Sequence, residues 1–217
     1  MSDIFHEVDE AVRREKLEKL WKRYGNYVIA AAVLFVVALG GWRGYQWWEA
    51  QKAAKASAAF DAATELADQG KPAEAEAAFA RLAADGTAGY RVLARLREAA
   101  VLAERDPKAA VAAYDAIAND APVGRTLQEL AGVRAALLLV DSAPYSEMTR
   151  RLEPLAQPGE PFRHTAREIL ALAAFKAGDK AAARKWYDMI ASDAETPQSV
   201  RTRVDVLMTL SGDTGKG

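Results

Sequence analysis

Cysteine is absent from the 217 residues. That excludes disulfides, thiolate nucleophiles and cysteine-bound zinc, and leaves the chain indifferent to an oxidising compartment. Histidine is scarce, with His6 and His164 alone, too few for an ordinary histidine-rich metal site. His164 stands beside Arg163 and Arg167, a poor setting for a cation, and reads as a surface helix histidine. Neither sign of charge dominates: 29 basic side chains face 30 acidic ones, so composition gives no reason to expect nucleic-acid binding. The GxSxG, HExxH, Walker A and GxGxxG patterns are all missing. Carboxylates such as Glu74 and Glu76 lie two apart, share no helix face, and read as solvated. No cofactor and no enzymatic chemistry are expected.

What the chain has in excess is alanine, the best helix former and a residue that lets helices approach closely. It also has one long uncharged run. From Tyr24 to Trp42, 19 residues carry no charge, bracketed by Arg23 and Arg43. At 1.5 Å per residue this run spans about 28 Å, close to the ~30 Å hydrocarbon core of a bilayer. The eight Val, Ile, Leu and Phe residues between Val28 and Leu39 together favour insertion by on the order of 2 to 5 kcal/mol. Trp21, Tyr24 and Tyr27 precede the centre of the run, and Trp42, Tyr45, Trp47 and Trp48 follow it. Such residues belong at membrane interfaces, where an apolar ring with a polar edge is most stable. A 23-residue charged leader and the lack of a small-x-small site after Leu39 argue for an uncleaved anchor rather than a signal peptide.

Orientation follows from the basic residues. Arg13, Arg14, Lys16, Lys19, Lys22 and Arg23 stand before the span, against Arg43, Lys52 and Lys55 after it, which sets the N-terminus in the cytoplasm. In a bacterial cell the body of the chain then lies in the periplasm. The tail carries Ile4, Phe5, Val8, Val12, Leu17, Leu20 and Trp21 at helical spacing. It reads either as a basic topology signal or as a short amphipathic helix for the membrane surface or a cytoplasmic partner.

Beyond the anchor the chain repeats itself. Pro72-Ala73-Glu74-Ala75-Glu76-Ala77-Ala78-Phe79 overlays Pro107-Lys108-Ala109-Ala110-Val111-Ala112-Ala113-Tyr114 at an offset of 35. The theme returns at Gly178-Asp179, Ala183 and Tyr187, with a weaker copy at Met148, Leu152 and Leu155. The large residues Phe79, Tyr114, Leu152 and Tyr187 are spaced 35, 38 and 35. Each unit reads as two helices. Pro72, Pro107 and Pro144 mark the start of second helices, and Asp106 caps one of them. A last helix from Thr196-Pro197, with Val200, Val204, Leu207 and Met208, closes the stack.

These units resemble the tetratricopeptide repeat, a 34-residue helix–turn–helix, despite Leu82, Ile117, Leu155 and Ile190 standing where that family usually has alanine. The opening Asp3-Ile4-Phe5 with Glu7-Val8-Asp9-Glu10, then Leu20-Trp21-Lys22-Arg23-Tyr24-Gly25, the anchor and degenerate repeats together look like the bacterial inner-membrane family described as the ancillary subunit of the SecYEG translocon. The expected fold is all-α: a single transmembrane helix, then an α-solenoid of about four degenerate tetratricopeptide-like hairpins with a C-terminal capping helix. The expected parts are a cytoplasmic tail (1–23), the anchor with its aromatic belts (24–48), the repeat domain (49–210) and a flexible C-terminus (211–217). The resemblance implies the SecYEG translocon and exported polypeptides as partners and a chaperone-like role in the periplasm; membrane lipid is the remaining partner. Carried over unit by unit, a concave peptide groove would include Phe60, Thr64, Val92, Arg95, Leu102, Leu130, Val133, Leu137, Leu172 and Phe175. Two alternatives stay open: neighbouring helices cover these residues, or the repeats serve as a structural scaffold for envelope assembly or cell division.

Overall fold

The computed structural model describes the backbone of residues 3–210 and the side chains of residues 18–209. The terminal segment 211–217 and the tail side chains from Ile4 to Leu17 lie outside them. Among the described residues the fold is all-α, with nine α-helices and no strand. They are α1 (Asp3–Asp68), α2 (Pro72–Asp85), α3 (Ala88–Leu102), α4 (Pro107–Ala118), α5 (Arg125–Leu139), α6 (Tyr145–Leu152), α7 (Arg163–Lys176), α8 (Lys180–Ser192) and α9 (Gln198–Leu210). The chain divides into two compact units, residues 1–55 and 56–217.

The first unit is helix throughout its described length. Part of α1 is the one described helix long and apolar enough to cross a membrane, with a mean hydropathy of 1.8 in its most apolar window. Val28, Ile29 and the run from Val33 to Val37 are all exposed, so no protein core accounts for their apolarity. The seven interface residues Trp21, Tyr24, Tyr27, Trp42, Tyr45, Trp47 and Trp48 are exposed as well. Lys52 Nζ lies 3.2 Å from the centre of the Trp48 ring, and Tyr45 stacks obliquely on Trp48 with ring centres 6.3 Å apart. The polar ends of these rings thus keep cationic company.

The second unit begins with the last turns of α1. Proline opens α2 and α4, at a position where its missing N–H costs nothing, and Asp106 accepts a 2.9 Å hydrogen bond from the Ala109 N–H. Asp179 does the same for α8 through the Ala182 N–H. Gly70 and Gly178 take positive φ at the turns before α2 and α8, a conformation that a side chain would oppose. The weaker third unit shows its weakness here: α6 is only eight residues long and continues as a 3-10 turn at Pro154–Ala156, since Pro154 ends the helical ladder.

Packing runs through chain neighbours: α2 on α3, α3 on α4, α4 on α5, α5 on α6, α6 on α7 and α7 on α8, with α9 against both α7 and α8. Small residues set the spacing. Ala75, Ala94, Ala99, Ala110, Ala131, Ala136, Ala166 and Ala171 are all completely buried; a larger side chain at any of them would force the helices apart. Two first helices, α3 and α5, each bridge two cores. α3 gives Ala94 and Val101 to a cluster with Phe79, and Leu96 and Ala99 to a cluster with Tyr114. One unit on, α5 gives Ala131 and Leu138 to the Tyr114 cluster, and Val133 and Ala136 to the cluster holding Leu152 and Trp186.

Phe79, Tyr114 and Leu152 occupy equivalent buried places, as the 35- and 38-residue spacing predicts. The fourth place departs from the sequence reading. Tyr187 is only partly buried, against the cluster of Ile190, Val200, Val204 and Met208. Trp186 is the fully buried aromatic, its indole N–H donating to the Tyr145 hydroxyl at 2.8 Å. The reason is chemical: an indole buries more apolar area than a phenol and finds its one polar partner inside.

Candidate protein-interaction surface

The ten groove residues expected from sequence fall into different environments. Phe60 packs edge-on to Phe79, ring centres 5.5 Å apart, and lies 6.0 Å from the Tyr90 ring. The Thr64 hydroxyl donates to the Phe60 carbonyl at 3.0 Å. Both sit at the edge of the first cluster. On α3, Val92 and Leu102 are half-buried, and Arg95 is held in an ion pair with Asp120 beyond the end of α4. On α5, Leu130 is half-buried, Val133 is 3% exposed inside the core, and Leu137 is 43% exposed. Leu172 and Phe175 are half-buried on α7. Leu137 is therefore the one large apolar side chain of the ten that faces solvent outright.

A second strip emerges that sequence reasoning missed. Leu93 is 41% exposed on α3, and Arg97, one turn later, is exposed too. Arg134, also exposed, and Leu130 stand at the corresponding places on α5. The signal was present: Leu93-Ala94-Arg95-Leu96-Arg97 and Leu130-Ala131-Gly132-Val133-Arg134 share Leu-Ala-x-aliphatic-Arg at an offset of 37. It lies on first helices, whereas the repeat is easiest to see on second helices. Once Ala94 and Leu96 are committed to two cores, helix geometry leaves Leu93 and Arg97 outside both.

The other end of the repeat unit carries a tight ionic junction. Arg163 Nε donates to Asp193 at 2.9 Å, and Arg167, 2% exposed, donates to the same carboxylate oxygen at 2.8 Å and to the Ala156 carbonyl at 2.8 Å. Arg201 adds a 2.7 Å bond to the Asp193 backbone carbonyl. Arg163 foremost, with Arg167, holds the Asp193 carboxyl well below the usual carboxylate range. A cleft of about 380 Å³ opens beside this junction. Its charges are already matched within the protein, which identifies a structural joint between α7, α8 and the chain leading into α9.

His164 belongs to this joint, correcting the sequence reading of a surface histidine. Its Nδ1 lies 3.1 Å from the Thr196 hydroxyl, which also donates to the Ile190 carbonyl at 2.9 Å. With the single hydroxyl proton used, Nδ1 must be the donor in that contact. Burial, seconded by Arg163, lowers the pKa of His164. Glu76, still solvent-accessible, pairs at the surface with Arg105 at 2.7 Å. Among the described residues no group of His, Asp and Glu could hold a metal ion.

Two comparisons bear on what such a surface serves. Over 184 residues the chain is 26% identical to a protein of Haemophilus influenzae called the ancillary SecYEG translocon subunit, spanning 84% of this chain and 89% of that one. No solved structure matches. The family model for a tetratricopeptide repeat-like domain matches residues 18–209. Helical pairs, buried alanines and the recurring large residue agree with that match, and the chain belongs to the tetratricopeptide repeat-like family.

Proposed function

We propose that this chain is a membrane-anchored, non-catalytic protein-interaction module that works at the SecYEG translocon. In this reading α1 crosses the inner membrane once, with the basic N-terminal tail in the cytoplasm and the repeat unit in the periplasm. The helices beyond it stack as a solenoid of degenerate hairpins, with α9 as its cap. The open strip of the repeats engages exported polypeptides as they emerge, in the manner of a chaperone.

The observation that supports this most is the extent of the likeness to the Haemophilus influenzae protein, 84% of this chain and 89% of that one, beside a family match that runs from residue 18 to 209 and so takes in the apolar run with the repeats. A tether also makes physical sense of a shallow surface. Holding a weak site near the exit of its clients raises their effective concentration to the millimolar range.

The test is affinity purification of the full-length protein from membranes in mild detergent, read by quantitative mass spectrometry. Enrichment of translocon subunits with a spread of exported proteins is the expected result. One or two envelope or division proteins at fixed ratio, without translocon subunits, would replace this reading by that of a scaffold.

A further inference from the structure

Among the described residues of the repeat unit, Leu93 and Arg97 on α3 and Leu130, Arg134 and Leu137 on α5 form a strip in which exposed or half-exposed leucines alternate with arginines that no carboxylate pairs. Arg97 and Arg134 have no carboxylate partner among the described residues, although most arginines of the unit do: Arg95, Arg105, Arg125, Arg151, Arg163, Arg167 and Arg203 are all paired. Arg81 and Arg91 also lack one, but only Arg97 and Arg134 recur at equivalent places on two successive first helices, each four residues after a leucine.

They also share a neighbour. α3 and α5 both pack on α4, and the Tyr114 ring from α4 lies in one cluster with Leu96, beside Arg97, and with Ala135, beside Arg134. The Tyr114 hydroxyl makes only a long 3.5 Å bond to the Leu96 carbonyl. Burial raises the pKa of that hydroxyl, and Arg134 and Arg97 both pull it back. Both guanidinium groups therefore act on the same phenol. Seven residues further on, Glu104 and Asp141 already lie in the turns beyond the ends of α3 and α5. Asp141 is already taken by Lys176.

We propose that this strip binds an acidic, leucine-rich polypeptide segment. Its carboxylates meet Arg97 and Arg134, and its aliphatic side chains lie on Leu93, Leu130 and Leu137. Guanidinium is the group suited to the task, because its planar fork accepts carboxylates in pairs and it is less strongly hydrated than an ammonium. The leucines supply contact that tolerates variation in sequence, and the arginines supply the sign selection. The proposal rests on the reading of the chain as a protein-interaction module and names the chemistry of what it takes.

The test uses full-length protein in detergent micelles and three fluorescein-labelled probe peptides with the same leucine pattern, carrying glutamate, glutamine or lysine between the leucines. Binding is followed by fluorescence anisotropy. The glutamate peptide is expected to bind at least about tenfold more tightly than the glutamine peptide, with the preference shrinking as salt screens the exposed charges. The double variant Arg97→Glu, Arg134→Glu should lose that preference and take up the lysine peptide instead. Both side chains are exposed, so the variant should keep its helical circular dichroism. Equal affinity for the three peptides, or an unchanged preference in the variant, would overturn the proposal. Recovery of translocon subunits with the same variant separates the two readings: peptide selection lost with the translocon retained sinks neither. In the unmutated protein, charge selection among the peptides with no translocon subunit ever recovered refutes only the location.

Discussion

The two units of this chain use the same apolar amino acids for opposite ends. In the first, Val33 to Val37 stand on a helix with nothing packed over them. In the second, Ile117, Leu152, Leu170 and Ile190 are sealed inside. Hydrophobicity alone does not distinguish the two; arrangement does. An unbroken apolar run covers every side of its helix and calls for a solvent that is apolar on every side. An apolar stripe broken by alanine at contact points calls for another helix at short distance. If the first unit spans a membrane as proposed, its stability resides in lipid and that of the second in side-chain fit, so damage to one should spare the other.

Trp186→Ala breaks the comparison from the repeat side and carries the largest expected effect. It removes a fully buried indole and its bond to Tyr145, at a cost of about 4 kcal/mol. Urea denaturation of the detergent-solubilised protein should show a much lower midpoint, while alkaline extraction leaves the chain in the membrane. Val36→Arg attacks the other side. An arginine at the centre of the run costs about 3 kcal/mol of insertion, and should release a fraction of the chain on extraction while the urea midpoint of the repeat unit stays put.

Arg167→Met sharpens the account of the ionic joint. It retains the aliphatic bulk, removes bonds to Asp193 and Ala156, and should destabilise the repeat unit by on the order of 2 to 3 kcal/mol. The loss should depend on pH with a definite sign. The Asp193 carboxyl titrates below its unfolded value, so its contribution is fully present above the unfolded carboxylate range and fades as pH falls through the folded one. The difference in urea midpoint between wild type and Asp193→Asn should therefore be constant near neutrality and shrink in acid below about pH 4. His164 acts in the same direction at higher pH. Its lowered pKa means that the folded state resists protonation, and stability falls below about pH 6.5. His164→Gln should flatten that part of the curve. Smallest of all, Asp106→Ala removes one helix cap at a cost of about 1 kcal/mol.

How much of this was legible beforehand follows from which signals are local. The apolar run, the prolines at Pro72 and Pro107 and the cap at Asp106 act within one helix, and each stands where the sequence places it. The 35-residue spacing located Phe79 and Tyr114 because second helices bury one large residue at a fixed position. The fourth unit misled: Trp186 and Tyr187 are adjacent, and only the neighbouring Tyr145 decides which turns inward. His164 was misread for a related reason, since Thr196 reaches it from 32 residues away. The strip of Leu93, Arg97, Leu130 and Arg134 escaped because exposed arginines on a helix look like ordinary solvation until their neighbours are seen to be paired.

The central claim, that the open strip of the repeat unit meets polypeptides leaving the translocon, is most directly tested by site-specific photo-crosslinking in living cells. A photoactivatable residue replaces Leu137 in the full-length chain, and adducts are identified by mass spectrometry with and without a pulse of protein export. The account predicts adducts to several exported proteins that rise with export. Adducts that stay fixed to one partner whatever the export load, or none at Leu137 when the same probe at exposed Arg150 on α6 gives equal or greater yield of clients, would contradict it.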